Sequence, residues 1–346
     1  MNPLPGEGKL LVVSIVGSVA FLLSLVLTKL LINSADAIGM VDSPNQRSSH
    51  SKPTPKGGGL AFFLVFIVLS LGIYILNPEY KPIVFPLLFG APVVVLLGWL
   101  DDRYTLSAKL RLGVHFLVAT FIFALVTQWF QFELFASFLP EIFWINAVFC
   151  ILFISWFINL YNFMDGADGL AASTAIAASV LMAVIAYFHD SPEISLIYCL
   201  IAYTVSGFLC FNWFPAKIFM GDTGSYFLGF VFAALALVCK VHANISFYSH
   251  IIIFGFFITD ATYTLFMRAL GGHNVFHAHK QFGFHKLMAK GWTDRKVSAF
   301  YTMVIVLWLF PLANLASIYD DYGVAIVAIS YLPLLVFEVY NKAGQP

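Results

Sequence analysis

Charge is the scarcest property of this chain. Asp, Glu, Lys and Arg together supply only 10% of its residues, against 60% hydrophobic and 17% aromatic, and the mean hydropathy is +0.88. That balance excludes a water-soluble domain. Cysteine is sparse too: Cys150, Cys199, Cys210 and Cys239 sit singly within apolar runs, with no CxxC spacing. They read as small core residues rather than metal ligands. There is no net charge to speak of, since 18 basic residues balance 18 acidic ones, and nucleic acid is not expected as a partner. With no internal repeat, soluble domain or low-complexity tract, residues 1–346 read as one membrane domain.

What the chain has instead is long apolar runs. Eleven are long enough to span a bilayer, at about 10–32, 58–76, 83–100, 112–128, 143–163, 170–187, 194–211, 223–240, 247–267, 298–317 and 323–340. The expected fold is an all-α polytopic membrane protein. The first run exceeds a secretory signal in length and has only Lys9 before it, so it reads as a retained helix. Assigning loops alternately to two faces puts fifteen of the eighteen Lys and Arg residues on one face, leaving Lys9, Lys81 and Lys240 on the other. The positive-inside rule then predicts a periplasmic N-terminus and a cytoplasmic C-terminus.

Five aspartates occupy short loops on the positive face: GWLDDRY (Asp101, Asp102), NLYNFMDGADGL (Asp165, Asp168) and MGDTGS (Asp222). An acid beside an apolar helix has a desolvation cost, so its presence points to use. Adjacent carboxylates at 101 and 102 call for a cation or basic neighbours, and a Mg²⁺–phosphate site is one solution. A solvated helix end is the other. Lys109, Arg111 and Arg103 follow as phosphate ligands or as membrane-face anchors. Asn159, Asn162, Asp165 and Asp168 recur every third residue and predict one polar stripe at a helix end, with capping of the next helix by Asp168 as the alternative. Asp222 reads as a metal ligand or a helix cap. Phe219 reads as a base-stacking ring or an interfacial apolar residue.

Two more loops share that face. The first, from about Asn33 to Lys56, carries Lys52 and Lys56 into Gly57, Gly58 and Gly59. Those glycines offer backbone N–H groups to an anion, or tight helix packing. The last, from Arg268 to Val297, holds His273, His277, His279 and His285. His277, His279 and Lys280 suit a diphosphate; zinc is the weaker reading because no cysteine is near. Asp260, within an apolar run, needs a partner, for which Arg268 is the candidate.

GWLDDR, NLYNFMDGADGL, FMGDTGS and the histidine-containing loop, in that order, resemble the polyprenyl-phosphate N-acetylhexosamine-1-phosphate transferases of glycosyltransferase family 4. PTPKGGG and TLSAK support the resemblance, which covers about residues 50 to 290. It implies an enzyme of the bacterial inner membrane that moves a sugar 1-phosphate from a UDP-sugar to undecaprenyl phosphate, releasing UMP and starting a cell-envelope glycan of the O-antigen type. It implies Mg²⁺, with Mn²⁺ as a substitute, held by Asp222 with help from Asn162. It assigns the acceptor phosphate to Asp101 and Asp102, with Lys109 as a phosphate ligand. Uracil falls to Asp168 and Phe219, and the donor sugar to the last loop. Lys52, Asn159, Asp165, Arg268, His277, His279 and Lys280 complete the expected substrate-binding set. The partners are the bilayer, undecaprenyl phosphate, a UDP-N-acetylhexosamine or its 6-deoxy derivative, and room for a second copy in a homodimer.

The last loop departs from the pattern. It reads HAHKQFGFH, with Phe282 where relatives that use 6-deoxy sugars carry a histidine. Two other classes stay open: a transporter, which would bury its polar groups near the midplane, and a CDP-alcohol phosphotransferase, whose Asp pattern DGADGLAAS does not complete.

Overall fold

The computed structural model describes residues 6–42, 53–129, 143–275, 277 and 279–345; Lys52 lies outside these. The described chain is nearly all helix: α1 (Gly6–Ile38), α2 (Gly59–Leu76), α3 (Lys81–Tyr104), α4 (Ala108–Trp129), α5 (Phe143–Phe163), α6 (Leu170–Phe188), α7 (Pro192–Asn212), α8 (Gly221–Ala243), α9 (Phe247–Ile253), α10 (Gly255–Leu270), α11 (Gly283–Ala289), α12 (Asp294–Val304), α13 (Phe310–Ile318) and α14 (Gly323–Tyr340). One π-turn, Ile305–Leu309, joins α12 to α13. A two-residue antiparallel pair, β1 (Val41–Asp42) with β2 (Thr54–Pro55), sets Val41 against Pro55 and Asp42 against Thr54.

Among the described residues ten helical stretches are long and apolar enough to cross a membrane, and the count reaches eleven when the bent pair α9–α10 is taken as one span. That pair is where the expected straight span at 247–267 gives way: its two halves meet at 71°. Phe254 breaks the helix, its ring packed on Phe232 at 4.7 Å and Phe157 at 5.1 Å. The next span also starts earlier than expected, at Asp294 rather than 298.

At the centre stands α8, buried along nearly all of its length, whereas α1 and α14 are mostly uncovered. It packs on α2, α3, α4, α5 and α9. Between helices in lipid the hydrophobic effect gives little, so small residues decide how closely backbones approach. A Cβ at Gly59 would come within 2.1 Å of the Gly224 Cα, and one at Gly98 within 2.4 Å of the Asp222 carbonyl oxygen. The ends of α2 and α3 are thereby drawn onto the first turn of α8, which carries Asp222.

Candidate active site

Asp101 and Asp102 close α3 and aim at different partners. Asp102 reaches across to α8: Oδ1 accepts the Asp222 N–H at 3.1 Å, and Oδ2 accepts the Thr223 N–H at 3.1 Å and hydroxyl at 2.7 Å. No side chain at Met220 caps that helix, so a carboxylate from another helix does so. The field of the Lys56 ammonium also reaches Asp102. Asp101 Oδ1 accepts the Leu106 N–H at 2.7 Å, while Oδ2 accepts Arg111 Nη1 at 2.8 Å and the Tyr226 hydroxyl at 3.0 Å. The repulsion expected between the two acids is relieved by a guanidinium on one and a helix N-terminus on the other.

Asp222 is therefore not the cap of its own helix. It sits in the first turn, its Oδ1 accepting from Asn162 Nδ2 at 2.6 Å, with the Asp101 carboxyl close by. Asn162 also donates to Ser225 Oγ at 3.0 Å. One turn back along α5, Asn159 turns inward to His115 Nδ1 at 3.0 Å and the Ser155 carbonyl at 2.7 Å. The His115 ring meets the Tyr226 ring edge-on, with centroids 4.9 Å apart.

The polar stripe ends with α5 at Phe163, so Asp165 and Asp168 lie on the following turn rather than on the helix. Burial, then the neighbouring Asp102 and Asp168 carboxylates, holds the Asp165 carboxyl well above the usual range. Asp168 does not cap α6, whose N-cap is Gly169 with no side-chain bond. Its Oδ2 instead accepts the Ala216 N–H at 2.8 Å, and its own N–H donates to Asp294 Oδ2 at 3.0 Å. Asn212 adds a second tie between these loops, accepting from Gly169 N–H at 3.2 Å and donating to the Ile218 carbonyl at 2.9 Å.

The glycine segment is also committed to structure. Gly58 N–H donates to the Phe219 carbonyl at 2.9 Å and Gly59 N–H to that of Met220 at 3.0 Å. These donors hold the loop before α8 and are not open to an anion, so for Gly58 and Gly59 tight packing is the alternative observed. Phe219 is half-buried, its N–H bonded to the Pro55 carbonyl at 2.8 Å.

The last loop folds over this cluster. The Phe284 ring lies so close to Gly166 that a Cβ there would approach within 2.7 Å, which sets the start of α11 above the Asp165 turn. Phe282 is buried, stacked with Phe163 and Phe284 at 5.9 and 5.8 Å, and His279 packs on it at 4.6 Å. Burial, with Arg268 nearby, brings the His279 imidazole down to about 4. His285 falls to about 3 through burial and the proximity of His279 and Lys280. His277 is exposed.

Arg268 is not the partner of Asp260. It donates to the Gln281 side chain and, at 3.0 Å, to the Asn274 carbonyl. Asp260 accepts the Gly283 N–H at 2.6 Å, the Phe284 N–H at 3.2 Å and the Tyr301 hydroxyl at 2.7 Å, closing the start of α11 much as Asp102 closes that of α8. Lys109 is exposed; the neighbouring cation that enters the site is Arg111. Tyr226 and His115 complete the cluster without having been singled out. Their signal is helical spacing, four residues after Asp222 and Arg111 respectively. Among the described residues no three His, Cys, Asp or Glu side chains form a ready-made metal cage.

Known proteins carry the same segments. The family described as Glycosyl transferase family 4 matches residues 84–240, which include every aspartate of the cluster. A probable undecaprenyl-phosphate N-acetylglucosaminyl 1-phosphate transferase of Bacillus subtilis (strain 168) is 35% identical over 290 residues, covering 80% of this chain and 78% of that protein. The chain belongs to glycosyl transferase family 4. Two phospho-N-acetylmuramoyl-pentapeptide-transferases, from Staphylococcus saprophyticus (strain ATCC 15305) and Staphylococcus epidermidis (strain ATCC 35984), are each 28% identical, covering 85% of this chain and 96% of theirs. Membership sets aside the transporter and CDP-alcohol readings. With its apolar spans, this family 4 protein is a multi-pass bacterial membrane protein.

Proposed function

We propose that this chain transfers an N-acetylhexosamine 1-phosphate, or its 6-deoxy form, from a UDP-sugar to undecaprenyl phosphate, releasing UMP and initiating a cell-envelope glycan. One observation carries the reading. In a chain similar to enzymes named for phospho-sugar transfer, Asp101 and Asp222 face each other at the buried start of α8, between Arg111 and Asn162.

The donor set suits a hard divalent cation. Asp101 and Asp222 lie close to each other, and the charges of Asp102 and Asp165 are felt beside them, against the nearby positive charges of Arg111 and Lys56. Mg²⁺ commonly takes one or two carboxylates and completes its shell with water and substrate phosphate, which fits a cluster without a full protein cage. Asp222 would hold it, with Asn162 and Asp101 beside it. When bound, the ion would supply charge neutralisation for the transferring phosphoryl group.

The rest falls to the chain's own groups. An oxygen of the acceptor phosphate attacks the sugar-bearing phosphorus of the donor; the bond to the UMP oxygen breaks and UMP leaves. A phosphate monoester has a second pKa of about 6, so the nucleophile arrives ionised and no protein base is required. Asp101, already accepting three hydrogen bonds, holds Arg111 towards the phosphates. Asp102 acts through α8, fixing the turn that bears Asp222. Asp168 and Phe219 line the nucleobase side, while His277, His279 and Lys280 approach the diphosphate and sugar. The charge bias of the loops supports a cytoplasmic site, where nucleotide sugars occur.

The test is direct. Membranes containing the protein receive undecaprenyl phosphate, Mg²⁺ and a panel of UDP-sugars, and UMP release is measured. Release that requires both the lipid phosphate and one class of UDP-sugar is expected. No release with any donor refutes the reading.

A further inference from the structure

Gln281 is held from three directions by contacts that the proposed chemistry does not call for. Its side-chain carbonyl accepts from Arg268. Its backbone N–H donates to His279 Nδ1 at 3.3 Å. Its backbone carbonyl accepts the N–H of Gly344 at 2.8 Å. Gly344 belongs to the short segment after α14, which makes further bonds to the same region. Lys286 Nζ donates to the Gln345 carbonyl at 2.6 Å, Lys290 Nζ donates to Asn341 Oδ1 at 2.7 Å, and the Lys290 ammonium lies 5.1 Å from the Tyr340 ring centre. Within α14, the fully buried Glu338 carboxyl abuts the first residue of α11: a Cβ at Gly283 would come within 2.5 Å of its Oε2.

Gly344 is wedged. Its φ is +76°, and a Cβ there would come within 2.6 Å of the Thr264 carbonyl oxygen on α10. That neighbour is backbone and cannot swing aside. So the segment sits between α10 and the loop at a position only glycine occupies without strain.

We infer that residues 338–345 form a latch for the loop before α11, with Gln281 as its positioning residue, and that the latch sets His279 and Lys280 where the donor diphosphate is met. The inference rests on the reading of that loop as donor-binding. None of the described residues between α10 and α11 is helical, so unlatched they would sample many conformations, and the entropy cost of ordering them would fall on donor binding instead of on folding. The acceptor side, built on α3, α4 and α8, shares none of these contacts.

The experiment uses the full chain in detergent, with Gly344→Ala and Gln281→Ala. For both variants we expect the apparent KM for the UDP-sugar to rise about tenfold, with kcat and the KM for undecaprenyl phosphate held within about twofold. Hydrogen exchange is read in parallel: peptides covering 271–290 should exchange faster, those from α3 and α8 as in wild type. Unchanged donor KM and loop exchange in folded variants would overturn the latch. So would equal rises in both KM values with faster exchange throughout, the pattern of general destabilisation. Should Gly344→Ala fail to fold, Gln281→Ala carries the same readouts. A wild type that releases no UMP would remove the proposed reaction, and the exchange measurement would still decide whether the latch holds the loop.

Discussion

Replacing Asp102 separates two roles that the aspartate pair is open to. If Asp102 acts by capping α8, its charge matters less than its acceptor oxygens. Asp102→Asn keeps one carbonyl oxygen with two lone pairs, enough for the Thr223 hydroxyl and one N–H of the three donors it serves. The loss is one charge-assisted bond and the favourable meeting of a carboxylate with a helix N-terminus, about 1–3 kcal/mol in all. Asp102→Ala leaves all three donors without this partner and should cost roughly 3–5 kcal/mol, since each half-buried unsatisfied group costs about 1–3 kcal/mol. At about 2–4 °C per kcal/mol, the Asn variant should lose a few degrees of thermal midpoint in detergent and the Ala variant clearly more. Turnover of Asp102→Asn, measured by UMP release below its midpoint, should stay within about tenfold of wild type, because α8 still presents Asp222. The reasoning fails if Asp102→Asn keeps the wild-type midpoint yet loses as much turnover as Asp222→Asn. That result would put Asp102 on the reacting groups themselves.

Asp222→Asn should lower turnover by about 10²-fold or more while the protein remains folded, since a neutral amide is a poor ligand for a hard cation; wild-type activity in that variant, or activity surviving EDTA, would remove the metal from the scheme. Stability should fall on acidification: His279 and His285 are held neutral to about 4 and about 3, whereas unfolded histidine titrates near about 6.5. Their contribution is complete above that value and drains away as pH drops below it, so His285→Phe should flatten the fall in thermal midpoint between pH 7 and pH 4.5; an unchanged slope contradicts the assignment. Cysteine labelling should find positions 102, 222 and 286 on one side of the membrane and Lys81 and Asp321 on the other, the first group cytoplasmic; any site-loop position on the opposite face would break the single-site arrangement.

The membrane architecture was legible because an apolar run of bilayer length is hard to shelter anywhere except in lipid. The break at Phe254 was not, since hydropathy is continuous through it, and the bend falls where Phe254 packs on Phe157 and Phe232 and Gly255 begins the next helix. The aspartate loops announced themselves through Gly and Asn neighbours. Their division of labour did not: Asp101 and Asp102 are adjacent in sequence, and only the approach of α3 to α8 gives one of them a helix to cap. Asp260 misled in a related way. The nearest cation in sequence is Arg268, but two backbone N–H groups more than twenty residues later serve it instead. Gly58 and Gly59 carried the right residue type for an anion cradle, and tertiary bonding to Phe219 and Met220 used the donors up. Backbone partners of this kind leave no trace in side-chain patterns.

The burial of α8 bears on how the protein meets membranes of different thickness. Hydrophobic mismatch acts where side chains touch lipid, and helices answer it by tilting at a modest cost per ångström. Here the lipid-facing work falls on α1, α13 and α14, which are largely uncovered, whereas α8 is screened by its neighbours over most of its length. A thicker or thinner bilayer therefore strains the rim of the molecule while the helix bearing Asp222 keeps its register against Gly59 and Gly98. Turnover should track the supply of lipid acceptor and stay nearly indifferent to acyl-chain length, so that the enzyme carries its own fixed interior through a variable surround.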